Sequence, residues 1–244
     1  MLHGPQKGLF ELEFQIPALC ADHLASGAAD IGIVPSFELT RQQLDIIPGS
    51  GIACHGPVHS ILLVSKVPHG EIRTLACDSS SRTSVQLARI ILARKYNAFP
   101  RLESHPPVLE AMLEKADAAL VIGDPALHLF ARELPFPVLD LGAEWVRMTG
   151  LPMVFAVWAG RKGLATHDVI DAFNASRAYG RERLEEIVSW EAGPRGFAPE
   201  LVRDYLESRI VNALGPEDHR GLDLFLAYAR EINAGAEARE QNAV

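Results

Sequence analysis

Seven consecutive residues, Asp78-Ser79-Ser80-Ser81-Arg82-Thr83-Ser84, each carry a side-chain hydroxyl or a charge. They follow the apolar run Thr74–Cys77 and precede Val85-Gln86-Leu87-Ala88-Arg89, whose spacing reads as a helix. A helix start leaves backbone N–H groups unpaired and carries a partial positive charge. Hydroxyls added there make a seat for a carboxylate or a phosphate. Capping explains part of the same pattern, because Thr83-x-x-Gln86 fits a capping box in which Thr83 satisfies the Gln86 N–H. A cap uses one or two of the five hydroxyls between Ser79 and Ser84. With Thr83 as cap, Ser84 and the nearby amides remain to face a ligand.

Ile122-Gly123-Asp124-Pro125 is a second candidate. Asp124 as N-cap with Pro125 at the first helical position accounts for it structurally, and Gly123 also lets a ligand approach the backbone. Asp78 and Asp124 could form a carboxylate pair, although capping and solvation at strand ends account for both. Cys54-His55-Gly56-Pro57-Val58-His59-Ser60 holds two His residues at i and i+4. Gly56-Pro57 opposes a helix there, and four extended residues span ~13 Å, which argues against a shared metal. Nucleotide-loop, nucleophile-elbow and zinc-protease motifs are absent from the sequence.

The elements that must hold these residues alternate. Short apolar runs at Ile31–Val34, Ser60–Val64, Thr74–Cys77, Ala118–Ile122 and Val154–Trp158 read as strands covered on both faces. Between them Ala18–Ser26, Ser84–Tyr96, Val108–Lys115 and Ala126–Glu133 read as helices, the pattern of an α/β fold. From about Thr166 the pattern becomes helical, over Asp168–Glu191, Pro199–Ala213 and Glu217–Gly235, and the tail Ala236–Val244 is polar. The first helix follows a single extended stretch, Phe10–Ile16, whereas a doubly wound domain usually opens with a strand that becomes central.

Composition sets outer limits. The 244 residues, 48% hydrophobic and 22% charged, describe an ordinary globular chain rather than a disordered one. A net charge of −8 opposes a nucleic-acid-coating role but leaves an anionic small molecule open. Three cysteines without CxxC spacing fit a reducing compartment. Met1–Pro5 shows neither a basic nor an apolar leader segment, and no apolar run nears the ~20 residues of a membrane span. A cytoplasmic protein is the expectation.

Several segments together resemble the MqnA family of menaquinone biosynthesis: Ala29–Pro35 (ADIGIVP), Gly56–Ser60 (GPVHS), Ser81–Val85 (SRTSV), Asp117–Asp124 (DAALVIGD), Asp140–Trp145 (DLGAEW) and Thr149–Trp158 (TGLPMVFAVW). The matches are collinear over about residues 10–235. The resemblance implies a two-lobed fold of the type 2 periplasmic binding proteins, with mixed, mostly parallel sheets, helices on both faces and a helical C-terminal segment. It implies a first lobe of 1–56 plus 155–244, a second lobe of 57–154, and a hinge near Gly56–Val64 and Thr149–Trp158. It further implies a cytoplasmic chorismate dehydratase, which removes the C4 hydroxyl and C3 proton of chorismate to leave an aromatic 3-enolpyruvyl-oxybenzoate. Ser84 is the catalytic expectation. Ser81, Arg82, Thr83, Ser84, Val85, Gly56, Pro57, Val58, Ser60, Pro35, Gly123 and Asp124 are the expected substrate contacts. The expected partner is chorismate, without nucleic acid, membrane, metal or organic cofactor, and a homodimer is left open.

The family opens with a strand and a Tyr/Phe-Leu-Asn turn supplying an active-site Asn, which Met1–Gly8 does not match. The resemblance therefore implies an N-terminally incomplete first lobe and impaired activity or folding of the chain as written. Two other readings share the fold: 1,4-dihydroxy-6-naphthoate synthase, which the SRTS turn and DLGAEW segment fit less well, and a solute-binding receptor. A regulatory ligand-binding module is the third, with no helix-turn-helix partner in the sequence.

Overall fold

Continuous apolar runs become strands buried on both faces, and the chain arranges them in two sheets. The computed structural model describes residues 1–78 and 81–241, with side chains to residue 236. Ser79, Ser80 and the end of the polar tail, 242–244, lie outside the described residues. The first sheet holds β1 (Ile31–Pro35), β2 (Leu44–Cys54) and β8 (Met153–Arg161) in the order β1-β8-β2. The second holds β3 (Ile61–Ser65), β4 (Thr74–Asp78), β5 (Arg101–His105), β6 (Ala118–Ile122) and β7 (Val138–Asp140) in the order β5-β4-β6-β3-β7.

The mostly parallel sheets implied by the resemblance are corrected here. The first sheet is antiparallel in its described ladders, and only the β4–β5 and β4–β6 ladders of the second are parallel. The connectivity gives the reason. The chain leaves the first sheet through β2 and returns through β8, so these neighbours run oppositely; β3 and β7, which open and close the second sheet, are opposed likewise. At the last rung of the first sheet Cys54 faces Met153, so the outgoing and returning crossings start side by side.

Period-two alternation covers both faces of the second sheet. Ile61, Leu63, Leu75, Cys77 and Leu120 pack toward α2 (Arg82–Tyr96) and α5 (Leu141–Thr149). Leu62, Val64, Ala76, Ala119 and Val121 pack toward α3 (Leu109–Lys115) and α4 (Asp124–Phe130). Each fully buried leucine among them stabilises the fold by roughly 1.5–3 kcal/mol. On the first sheet α1 (Pro17–Ser26) starts at a proline and stops at Gly27, whose φ of +76° only glycine adopts freely. It lies on β1, where a side chain at Gly32 would meet Cys20 and Leu24. The Ser50 hydroxyl on β2 donates to Asn174 of α6 (His167–Glu182), 3.1 Å.

The C-terminal part is helical but more broken than its periodicity suggests. The stretch expected as one helix over Asp168–Glu191 divides at Arg183 into α6 and α7 (Leu184–Glu191). The helix expected over Pro199–Ala213 ends early: α8 spans Pro199–Asp204, a π-helical turn spans Tyr205–Arg209, and Val211 then bridges Ala53 of β2 through two bonds of 2.8 and 2.9 Å. The last helix, α9 (Pro216–Gln241), belongs to neither sheet alone. Its Leu222, Phe225, Leu226 and Ala229 share one core with Trp145 of α5, Leu87 of α2 and Val154, Val157 and Ala159 of β8. A Cβ at Gly221 would run into the Pro152 carbonyl, so only glycine lets α9 press onto the returning crossing. Phe10–Ile16, expected as an extended stretch, forms neither helix nor strand and joins no ladder. No helix among the described residues is long and apolar enough to cross a membrane.

Candidate functional site

Register brings three separate segments to one end of the second sheet. β4 and β6 are parallel, with Cys77 beside Leu120, and β3 runs against β6, with Ile61 beside Ile122. The carboxyl ends of β4 and β6 therefore emerge where β3 begins, the usual ligand side of an α/β sheet. The hydroxyl turn after β4, Gly123-Asp124 after β6 and Ser60 before β3 meet there. The Gly123 N–H donates to the Ser60 carbonyl at 2.7 Å.

At the hydroxyl turn the expected cap is corrected. Ser81, not Thr83, is the N-cap of α2, accepting the Ser84 N–H at 3.4 Å. Its hydroxyl lies 3.0 Å from that of Ser84, which is buried. Thr83 accepts the Phe37 N–H at 3.1 Å, and Gln86 turns its amide to the Ala229 carbonyl and Asn233, so no capping box forms. The Arg82 guanidinium reaches away from the turn to Glu38 and Asp22, both at 2.9 Å. Val85 is half-buried in the first turn of the helix, its N–H on the Ser81 carbonyl. Ser79 and Ser80 lie outside the described residues.

The second turn also departs from expectation. Gly123, with φ +72° and ψ −143°, is the residue before α4, and Asp124 is the first helical residue rather than the cap. Its carboxylate takes Arg195 at 2.8 Å. In the outgoing crossing Val58 and His59 donate their N–H groups to Asp140, which also accepts Ala143 N–H at 2.9 Å and so caps α5. Asp140 thereby pins the crossing. A Cβ on Gly142 would sit 2.6 Å from Cys54 Sγ and 2.8 Å from the Gly56 carbonyl, so the glycine of the DLG segment allows this close approach. Gly56 is half-buried and Pro57 exposed. His59 stacks on Phe130 at 3.7 Å between centroids, while His55 pairs with Asp218 at 2.9 Å. Burial, then Arg209, pushes the His59 imidazole below its ordinary value. Among the described residues no three His, Cys, Asp or Glu side chains gather as a metal site.

Contacts from the first sheet's side close over this end. Buried Pro35 ends β1 and leads into a 3-10 turn, Ser36–Thr40, whose Phe37 meets Thr83. Buried Ser36 Oγ finds no hydrogen-bond partner. On the other flank the Tyr205 O–H donates to Ser60 Oγ at 2.9 Å, Phe197 stacks on His128, and His128 Nε2 lies 3.2 Å from the Arg195 carbonyl. Sequence reading missed Ser36, Tyr205 and Arg195. Two hollows, of 510 and 280 Å³, reach the edges of this end but not the hydroxyl turn, one between Phe37, Arg41 and Arg230 and the other between Phe130, Val138 and Asp140. The site residues instead sit beneath contacts between the two sides.

A family model described as menaquinone biosynthesis matches residues 2–231. The chain belongs to this family. It is 31% identical to the chorismate dehydratase of Thermus thermophilus over 234 residues, 88% of this chain and 85% of the relative. A solved protein of Archaeoglobus fulgidus superposes with a TM-score of 0.68 at 18% identity, covering 93% of this chain and 85% of its own. A Candida albicans protein with the generic periplasmic-binding-protein fold gives 0.55 at 11% identity, covering 87% and 76%. These two likenesses establish the two-lobed periplasmic-binding-protein-like fold.

Proposed function

We propose that this chain is a cytoplasmic chorismate dehydratase of menaquinone biosynthesis, acting in the futalosine route. What carries the reading is the convergence of family-matched segments, SRTSV, GPVHS, IGD and the Pro35 strand end, on one end of the second sheet. Residues 1–56 with 155–244 would form one lobe and 57–154 the other, hinged at the paired crossings around Cys54 and Met153. Three free cysteines support a reducing compartment.

Chorismate carries two carboxylates. The α2 N-terminus, with the hydroxyls of Ser81 and Ser84, would receive one of them, and Ser60, the bare backbone of Gly56 and Gly123, Val58 and Pro35 would border the ring. The C4 hydroxyl leaves with the C3 proton, and aromatisation drives the step. The substrate's own enolpyruvyl carboxylate is the candidate acceptor for that proton. The protein's work is then to orient the ring, exclude water and steady developing charge. Two expected contacts change character: Arg82 is held by Glu38 and Asp22, and Asp124 by Arg195, so both would act by joining the lobes.

The test is to mix the protein with chorismate and follow the aromatic product by absorbance. Conversion is expected. Binding without conversion points to a solute receptor of the same fold, and neither binding nor conversion sinks the reading.

A further inference from the structure

Tyr205 opens the π-helical turn that interrupts the helix after α8. Such turns are rare and cluster at functional sites. Here the turn carries a phenol out of the first lobe's helical segment to Ser60, at the mouth of the second sheet. Ser60 is 4% exposed and doubly engaged: its carbonyl takes the Gly123 N–H at 2.7 Å, and its Oγ accepts the Tyr205 O–H at 2.9 Å.

A serine hydroxyl has one proton to give and two lone pairs. Because Ser60 Oγ accepts from Tyr205, its own proton is turned away from that phenol. Gly123 lies beside this position through its N–H bond to the Ser60 carbonyl, and a Cβ built on it meets no atom within 4 Å. The backbone next to Ser60 thus has open space before it at Gly123. Burial pushes the Tyr205 phenol above its ordinary value, which keeps it protonated and donating at neutral pH.

We propose that Tyr205 is a positioning residue of the dehydratase site, whose O–H, given to Ser60, turns the Ser60 proton toward an oxygen of bound chorismate. The inference rests on the dehydratase reading and deepens it. It assigns Ser60 the part of a donor held in one orientation, and it makes that orientation depend on closure of the first lobe over the second. Opening the lobes would separate Tyr205 from Ser60 and free the hydroxyl to rotate.

The experiment is a double-mutant cycle on the full chain with chorismate, reading kcat and KM separately. Tyr205→Phe is expected to lower kcat/KM about tenfold, mainly through KM, as for loss of one hydrogen bond, with a melting temperature within ~2 °C of the parent. In a Ser60→Ala background the same change should alter kcat/KM by less than about twofold, because the group it orients is gone. A purely structural tyrosine would cost the same in both backgrounds. Unimpaired Tyr205→Phe, or an equal loss with and without Ser60, overturns the inference while the dehydratase reading stands. A parent chain that leaves chorismate unchanged overturns both.

Discussion

The turn after β4 and the turn after β6 leave parallel neighbouring strands at the same end of one sheet, yet one is lined with hydroxyls and the other with a carboxylate. The first opens α2, of fifteen residues, with Ser81 and Ser84 facing each other at 3.0 Å. The second opens α4, of seven residues, and its Asp124 places negative charge at the helix start, where Arg195 answers it. Both helix starts offer N–H groups and a positive end. What differs is the side chain already present: with Arg82 turned away to Glu38 and Asp22, neutral hydroxyls leave the field open to an incoming anion, whereas a carboxylate fills it and recruits Arg195 from the C-terminal helical segment. A strand end therefore locates a site, and the charge of its first residues decides whether that place receives a ligand or a latch.

Exchanging or deleting these groups should separate the two roles. Ser84→Ala is expected to have the largest effect, lowering chorismate kcat/KM about a hundredfold, as when a preorganised donor is lost, with little change in melting temperature. Asp124→Asn should cost less than about tenfold in the same assay, and an equal loss would erase the distinction. Next is Gly123→Ala, which forces a Cβ onto a φ of +72° and ψ of −143°. That strain of roughly 1–3 kcal/mol should lower the melting temperature by about 3–10 °C, measured by calorimetry.

Arg195→Ala removes ion pairs to Asp124 and Glu191 that are about half exposed. Its stability loss should stay within ~1 kcal/mol and vanish in high salt, as urea midpoints at two ionic strengths would show. The smallest effect concerns His59, whose φ is +63°. Its imidazole is depressed by burial first and Arg209 second, so the folded state favours the neutral ring. The stability it contributes is complete above the ordinary value of about 6.5 and is lost as pH falls through the lower folded value. His59→Asn tolerates positive φ and cannot titrate, so its melting temperature should fall less between pH 7 and pH 5 than the parent's.

The strands whose apolar residues run without interruption, β1, β3, β4, β6 and β8, were legible to within a few residues. β2 was not, because Pro48-Gly49-Ser50-Gly51 looks like a turn, and the ladder absorbs it as a register shift between Ile46 and Gly51. β5, Arg101–His105, is an edge strand of polar residues and gives no apolar signal. The hydroxyl turn could be found from residue type alone, but its cap could not. Gln86 fits a capping box in sequence, while tertiary contact with α9 claims its side chain. Tyr205 and Arg195 were invisible for a related reason: an aromatic in a helical turn or an arginine in a loop gives no local sign that it reaches a residue far away in the chain.

The position of α9 bears on how the molecule comes into being. Phe225 and Leu222 complete a core whose other members, Leu87, Trp145 and Val157, are synthesised much earlier. Until this segment has emerged, those earlier side chains lack the apolar partners it supplies, whatever local structure has formed. A chain cut before Gly221 would therefore leave Leu87, Trp145 and Val157 without the apolar face that α9 lays over them.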